Sequence, residues 1–205
     1  MSDIINVTKK MIIDTAIDII REQGDVVYVT LREIAKRLNI STKPIFDLYD
    51  SVEDIIVDTK KAVLHDLIEE IMKPSDKYTG IKKAGMLLIL FAKKEPNLFK
   101  FVFMNTDSFT DKNGNPDDDF NELNIPIEYC INILMEKHSF SQELAKKVFN
   151  RIWFHTIALC NMCVMGIRTP TEEQCSVLLS QAYIGSLEMI KEELHGNTNT
   201  YKYSF

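Results

Sequence analysis

The sequence predicts an all-α protein, with three helices in a small N-terminal module followed by six more. Three observations lead there. Apolar residues recur at helical spacing through most of the 205 residues. Proline and glycine are scarce and stand where helices should end. Strand-like alternation is nowhere sustained beyond Val26–Val29. No internal repeat or low-complexity tract interrupts this pattern.

The first helix is expected from about Val7 to Gln23, with Ile12, Ala16, Ile19 and Ile20 on its buried side and Gly24 as terminator. Thr30-Leu31-Arg32-Glu33 then reads as a capping box, in which the Thr hydroxyl takes a free helical amide and the Glu side chain reaches back. Leu31, Ile34, Ala35 and Leu38 fall at i, i+3, i+4 and i+7, one apolar stripe on a short helix. Asn39-Ile40 breaks the stripe. Ser41 can cap a third helix, with Pro44 inside the first turn where no amide bond is lost. On that helix Ile45, Leu48 and Tyr49 form one face, and Thr42, Lys43, Phe46 and Asp47 the other. A helix anchored by its inner face and free on its outer face is what major-groove reading requires, so Thr30–Asp54 is a helix-turn-helix signal that points to DNA.

Ser51 caps a fourth helix reaching about Met72, stopped by Pro74-Ser75. A fifth is expected over Thr79–Lys94, ending before Pro96, and a short, very apolar sixth over Pro96–Met104. Asn105–Asn121 is polar and acidic, with Gly114 and Pro116, and reads as a long loop. Three helices follow, over about Glu122–Lys137, Ser141–Met165 and Thr171–Leu194. Thr171-Glu172-Glu173-Gln174 is a second capping box. The last helix brings Ala182, Gly185 and Ser186 close together. Small residues let backbones approach, either at an intrachain crossing or at the interface of a helix-bundle dimer. A helix-turn-helix that reads two half-sites through two-fold symmetry favours the dimer.

Composition bounds the function. With 45% hydrophobic and 26% charged residues, the chain is of an ordinary globular class. Ile4, Ile5 and Val7 are too few for an apolar signal core, and the longest apolar run, Ala84–Ala92, is far short of a membrane span. Four cysteines in such a chain suggest reduced thiols and a cytoplasmic protein with no membrane partner. The net charge of −6 argues against broad nucleic-acid coating. Residues 1–55 hold seven Lys/Arg and ten Asp/Glu, a net of −3, yet Arg32, Lys36, Arg37 and Lys43 are grouped around the turn. Local charge decides phosphate contact within a Debye length of about 10 Å.

Other constellations carry less. Asp111, Asn113, Asn115, Asp117, Asp119 and Glu122 occupy the spacings of a calcium loop, but Pro116 stands where a glycine must make the sharp turn. A solvated acidic loop is the expected reading, with no metal site. Cys160 and Cys163 form a Cys-x-x-Cys pair inside an apolar helix, which favours core packing. No Gly-rich phosphate loop, HExxH or Gly-x-Ser-x-Gly occurs, so neither catalysis nor a cofactor is expected. A ligand pocket is expected in the C-terminal part, where Phe91, Phe99, Phe103, Tyr129, Trp153, Phe154, Met162 and Tyr183 supply aromatic and soft surface. The expected ligand-binding residues are Phe91, Phe103, Tyr129, Trp153, His155 and Met162, with Trp153 and His155 as a polar-edged wall.

The N-terminal residues resemble the TetR/AcrR family of bacterial transcriptional regulators. The matching signature is Ile12–Ala16, Gly24, Val29–Leu38, Ile40–Tyr49 and Ser51–Ile55. Leu90-Phe91-Ala92, Pro96-Asn97-Leu98-Phe99 and Trp153-Phe154-His155 look like patterns of one branch of the family's C-terminal domains. The resemblance implies a helix-turn-helix DNA-binding domain over residues 1–55 and a six-helix ligand-binding and dimerisation domain over residues 56–205. It implies a homodimer, formed through the last two helices, on a palindromic double-stranded operator, with recognition helices about 34–36 Å apart. A small-molecule effector would release the DNA through a coupling free energy of typically 1–3 kcal/mol, making the protein a repressor.

Thr30, Arg32, Lys36, Ser41, Thr42, Lys43, Phe46, Asp47 and Tyr49 form the expected DNA-contacting set. Lys43 would favour guanine O6/N7, and Asp47 could only accept, for example from cytosine N4. The family usually has a tyrosine where Phe46 stands, an aromatic at Leu48, a basic residue at Asp50 and a lysine at Val52. These departures motivate an alternative, a ligand- or protein-binding module on the same fold with weak or lost DNA binding.

Overall fold

A computed structural model describes residues 7–104, 122–167 and 169–194. Regular structure among them is helical, with nine α-helices and a 3-10 helix at Val26–Tyr28. Among the described residues the chain divides into two compact units. One is drawn from Met1–Met72 and Phe91–Asn124, the other from Lys73–Leu90 and Ile125–Phe205.

In the first unit, α1 (Lys9–Gln23) is capped by Thr8, whose Oγ1 accepts from the Met11 amide at 3.3 Å. Gly24 ends it in the left-handed region at φ 77°, its N–H bonded to the Ile20 carbonyl. A side chain there would also crowd Asn97, whose Oδ1 lies 3.3 Å from the position of a Cβ. Glycine is thus required twice, by backbone and by space. The strand-like Val26–Val29 stretch winds into a 3-10 turn instead, because the Asp25 carboxylate takes the Val27 amide at 3.0 Å and Val29 N–H closes on Val26 O at 2.9 Å.

Next come α2 (Leu31–Leu38), α3 (Lys43–Phe46) and α4 (Val52–Met72). Ser51 caps α4, accepting from the Asp54 amide at 3.1 Å. The core of this unit is made by Ile12, Ala16, Ile19 and Ile20 of α1, Ile34 and Ala35 of α2, Ile45, Tyr49, and Ile55, Val63 and Leu64 of α4. Leu98, Phe101 and Val102 of α6 (Pro96–Phe103) complete it. Each fully buried isoleucine contributes about 2 kcal/mol relative to exposure. The core therefore runs well past residue 55. Asn97 donates to the Arg21 carbonyl at 3.0 Å, and the Arg21 guanidinium bonds Glu95 at 3.0 Å, fastening the start of α6 to the end of α1.

The second unit holds the residues of α5 (Gly80–Lys94) up to Leu90, with α7 (Asn124–His138), α8 (Gln142–Met165) and α9 (Glu172–Leu194). Ser141 caps α8, and Thr171 with Gln174 forms the full reciprocal capping box of α9, at 3.2 and 2.8 Å. Cys130, Ile131, Leu134, Ala145, Val148, Phe149, Ile152 and Ile190 are the buried centre. Gly85 marks a close approach, since a Cβ on it would meet Leu179 Cδ1 at 3.0 Å and Thr156 Oγ1 at 3.1 Å. Observed helix ends fall within two residues of those expected, except that α3 ends at Phe46 where the expected helix reached Tyr49. No helix of the described residues is long and apolar enough to cross a membrane.

Candidate nucleic-acid interface and ligand cavities

The α2–α3 pair is built from a stop and a restart. Asn39, left-handed at φ 55°, turns its N–H back on Ala35 and Lys36, and Ile40 N–H returns to Ala35 O at 2.9 Å, closing α2. The restart differs from the expected one. Thr42, not Ser41, stands at the N-cap of α3, its side chain makes no capping bond, and Pro44 stands in the first turn. With φ of Pro44 set for a helix and no amide on it to satisfy, less capping is demanded. The regular α-helix is one turn long, and turn bonds to Ile45 O from Leu48 (3.0 Å) and Tyr49 (2.9 Å) prolong it.

The capping box at Thr30 is only half made. Thr30 Oγ1 accepts from Glu33 N at 3.1 Å, but the Glu33 carboxylate turns to Arg37 (3.1 Å) and Lys36 (3.5 Å). A charge-assisted bond to guanidinium outcompetes a backbone amide. That bond, the largest influence on Glu33, holds its carboxyl below the ordinary value. Arg37 is doubly held, since Glu22 takes it at 2.8 Å, and its side chain is only 25% exposed. One of the four grouped cations is therefore committed inside the protein. Arg32 and Lys43 are exposed and form no ion pair among the described residues.

Thr30, Arg32, Lys36, Ser41, Lys43 and Asp47 are all exposed, and Thr42 is half-buried. Phe46 stands 54% exposed, a large aromatic held out by a one-turn helix. Tyr49 is placed otherwise: it is 4% exposed, with its hydroxyl donating to Asp58 at 2.9 Å and Lys9 Nζ 4.5 Å from its ring centroid. Burial first, and then the Asp58 bond, push its phenol well above the ordinary value. Its place is the inward face with Ile45.

Among the described residues, Tyr129, His155 and Met162 each line a different cavity of the second unit. Phe91 and Phe103 belong to the first unit, where both flank Phe99 at centroid distances of 6.4 and 5.0 Å. In the second unit Trp153 stacks on Phe149 at 6.0 Å, and Phe154 is exposed. His155 is exposed, donating from Nδ1 to Arg151 O at 2.7 Å, and lines a groove of about 800 Å³. Met162 lines a second of about 750 Å³, and the two share Leu159 and Leu178 along α8 and α9. Tyr129 lines a third cavity of about 740 Å³, together with Tyr78, Lys82, Lys137 and Tyr183. Sequence reasoning named Tyr129 and Tyr183 but missed Tyr78, Lys82 and Lys137 beside them, since the group's members come from α7, α9 and the chain at the start of α5. No periodicity along one helix signals such a set.

Cys160 and Cys163 are buried thiols, and burial pushes the Cys130 thiol up to about 12 and Cys160 higher still. Among the described residues, no three His, Cys, Asp or Glu side chains group so as to hold a metal ion. Of the acidic spacing considered for calcium, Asp111, Asn113, Asn115, Asp117 and Asp119 lie outside the described residues. Glu122 Oε2 lies 3.7 Å from His65 Nδ1.

No protein-family model matches the chain, and no curated protein matches it in sequence. Among solved structures, the chain is similar to the transcriptional regulator FadR from Bacillus subtilis, crystallised in complex with stearoyl-CoA. The match has a TM-score of 0.56 and 16% identity, over 87% of this chain and 97% of that one. At that identity the likeness is one of fold: nearly the whole chain follows the course of an all-helical transcriptional regulator.

Proposed function

We propose that the protein is a ligand-responsive, DNA-binding transcriptional regulator of the TetR/AcrR type, acting as a homodimeric repressor on a palindromic operator. The observation that carries this reading is the α2–α3 pair, with Ile45 and Tyr49 turned into the core and Lys43, Phe46 and Asp47 turned out. Such a one-sided anchor suits a recognition helix. Residues 1–55 are assigned to DNA binding and 56–205 to effector binding and dimerisation. Arg32, Lys36 and Lys43 would meet phosphate or base edges, with Thr30, Ser41, Thr42, Phe46 and Asp47 beside them. The bound stearoyl-CoA of the FadR structure supports a small-molecule partner for this chain.

The homodimer reading draws support from α8 and α9. Phe154, Met165, Val177, Leu178, Ile184 and Met189 are exposed there, and beyond its own helix turn no described residue comes within 4 Å of where a Cβ on Gly185 would stand. At Gly185 an intrachain crossing therefore does not explain the small residue, whereas a second copy seated on this face would. The second reading, a module with weak or lost DNA binding, is favoured by the commitment of Arg37 to Glu22 and Glu33 and by exposed Asp47 and Asp50.

The test is binding of the purified protein to its own upstream intergenic DNA against a scrambled duplex, at two salt concentrations. Selective binding that weakens with salt supports the regulator. Equal, feeble binding to both duplexes, and no enrichment from a random-sequence pool, leaves the second reading.

A further inference from the structure

From the third cavity of the second unit we infer the chemical class of the effector, an organic anion that carries an aromatic ring. This rests on the effector reading above. Although the chain is acidic overall, this cavity is lined by Lys77, Lys82 and Lys137 against Asp76 alone. The three cations are not equivalent. Lys77 is neutralised by Glu172, which lies 2.6 Å away. Lys82 donates to Ser180 Oγ at 2.8 Å, a neutral acceptor that leaves its charge uncompensated. Lys137 forms no ion pair among the described residues. Two ammonium groups thus face one cavity with no ion pair among the described residues, against the single carboxylate of Asp76 in its lining.

The rings beside them complete the site. Tyr78 is pinned through its hydroxyl to Glu172 at 3.1 Å, and Tyr183 to His138 Nε2 at 2.6 Å. Both rings are therefore fixed in orientation before any ligand arrives, which lowers the ordering cost of binding. Lys82 Nζ lies 5.6 Å from the Tyr78 ring centroid and Lys137 Nζ 5.7 Å from that of Tyr183, so each free cation is held beside an aromatic plane. The Tyr129 hydroxyl, also lining the cavity, makes no hydrogen bond among the described residues. His138 is held below its ordinary value, by burial first and then by the charges of Lys137 and Lys191. A ligand with its carboxylate, sulfonate or phosphate between Lys82 and Lys137 and its ring against the tyrosines satisfies both cations at once. A neutral ligand would leave them unpaired.

The experiment titrates the full chain, without DNA, with 8-anilinonaphthalene-1-sulfonate and with its uncharged relative N-phenyl-1-naphthylamine, both read by fluorescence. Lys82→Gln and Lys137→Gln are each expected to weaken the sulfonate about tenfold, the scale of one lost charge-assisted bond, and the neutral probe less than twofold. Lys146→Gln, outside the cavity, should change neither. 1-Naphthylacetate should displace the sulfonate at concentrations where inorganic phosphate does not. Lys137 makes no hydrogen bond that folding depends on, so its variant keeps the test readable if Lys82→Gln unfolds. The inference is overturned if both probes bind all variants alike, or if Lys146→Gln weakens the sulfonate as much as Lys137→Gln. Operator binding measured on the same preparations separates the outcomes: lost DNA binding with intact anion selectivity removes the regulator reading only, and the reverse removes the anion site only.

Discussion

Tyr49, expected on the inner face of the third helix yet also among the DNA contacts, is buried in the structure, and Tyr49→Phe tests that inward role. As a phosphate contact, its hydroxyl would cost DNA affinity when removed and nothing in stability. In the structure the hydroxyl instead donates to the half-buried Asp58 carboxylate at 2.9 Å, beneath a ring that is 4% exposed. Hydrogen bonds to charged groups contribute about 1.5–3 kcal/mol, and Asp58 can regain some water once its partner is gone, so a loss of about 1.5 kcal/mol is expected. For a urea slope of about 2 kcal/mol per molar, that moves the unfolding midpoint down by about 0.75 M. Operator affinity should not move, because no contact to the duplex is lost. The phenol's raised pKa gives a second signature. Its stabilising effect is whole below the ordinary value of 10.0 and is lost as pH rises above it, where only the unfolded chain ionises readily. Tyr49→Phe should flatten that alkaline fall. An unchanged midpoint together with an operator affinity lowered about tenfold would refute the inward role and restore the phosphate contact.

Three further outcomes are expected. Glu22→Gln with Glu33→Gln frees Arg37 for phosphate, steepening the salt slope by about 0.9, or about 3.5-fold in affinity between 50 and 200 mM salt; an unchanged slope in filter binding would show that Arg37 does not reach the duplex. Gly85→Ala should lower stability by about 1–3 kcal/mol despite alanine's better helix propensity, because Leu179 is fully buried and cannot yield to a Cβ 3.0 Å away; a higher urea midpoint would contradict it. His138, held below its ordinary 6.5, favours the folded state above that pH and loses this contribution as pH falls through it; urea midpoints at pH 7.5 and 5.5 should converge in His138→Gln relative to the wild type.

The helices could be read one by one from the chain because their signals are local. Gly24, Asn39 and Gly166 take left-handed backbone where a helix must stop, while Thr8, Ser51, Ser141 and Thr171 offer oxygens to amides three residues on. The outward face of α3 was equally legible, since a helical period of 3.6 residues separates Phe46 and Asp47 from Ile45 whatever they pack against. What the linear pattern could not carry is competition between partners distant in sequence. Arg37, four residues from Glu33 on the same helix, is also taken by Glu22 from α1, and Tyr49 finds Asp58 of α4; these two pairings depend on which charges the tertiary fold brings within 3 Å. The same holds for the ligand-facing residues. Aromatic content marked the C-terminal part as a place for a pocket, but only the packing of α7 and α9 about the start of α5 decided that Tyr129 would stand with Lys82 and Lys137. Backbone hydrogen bonding is a short-range property of the sequence, whereas a cavity is defined by the side chains that several separate segments happen to present to one another.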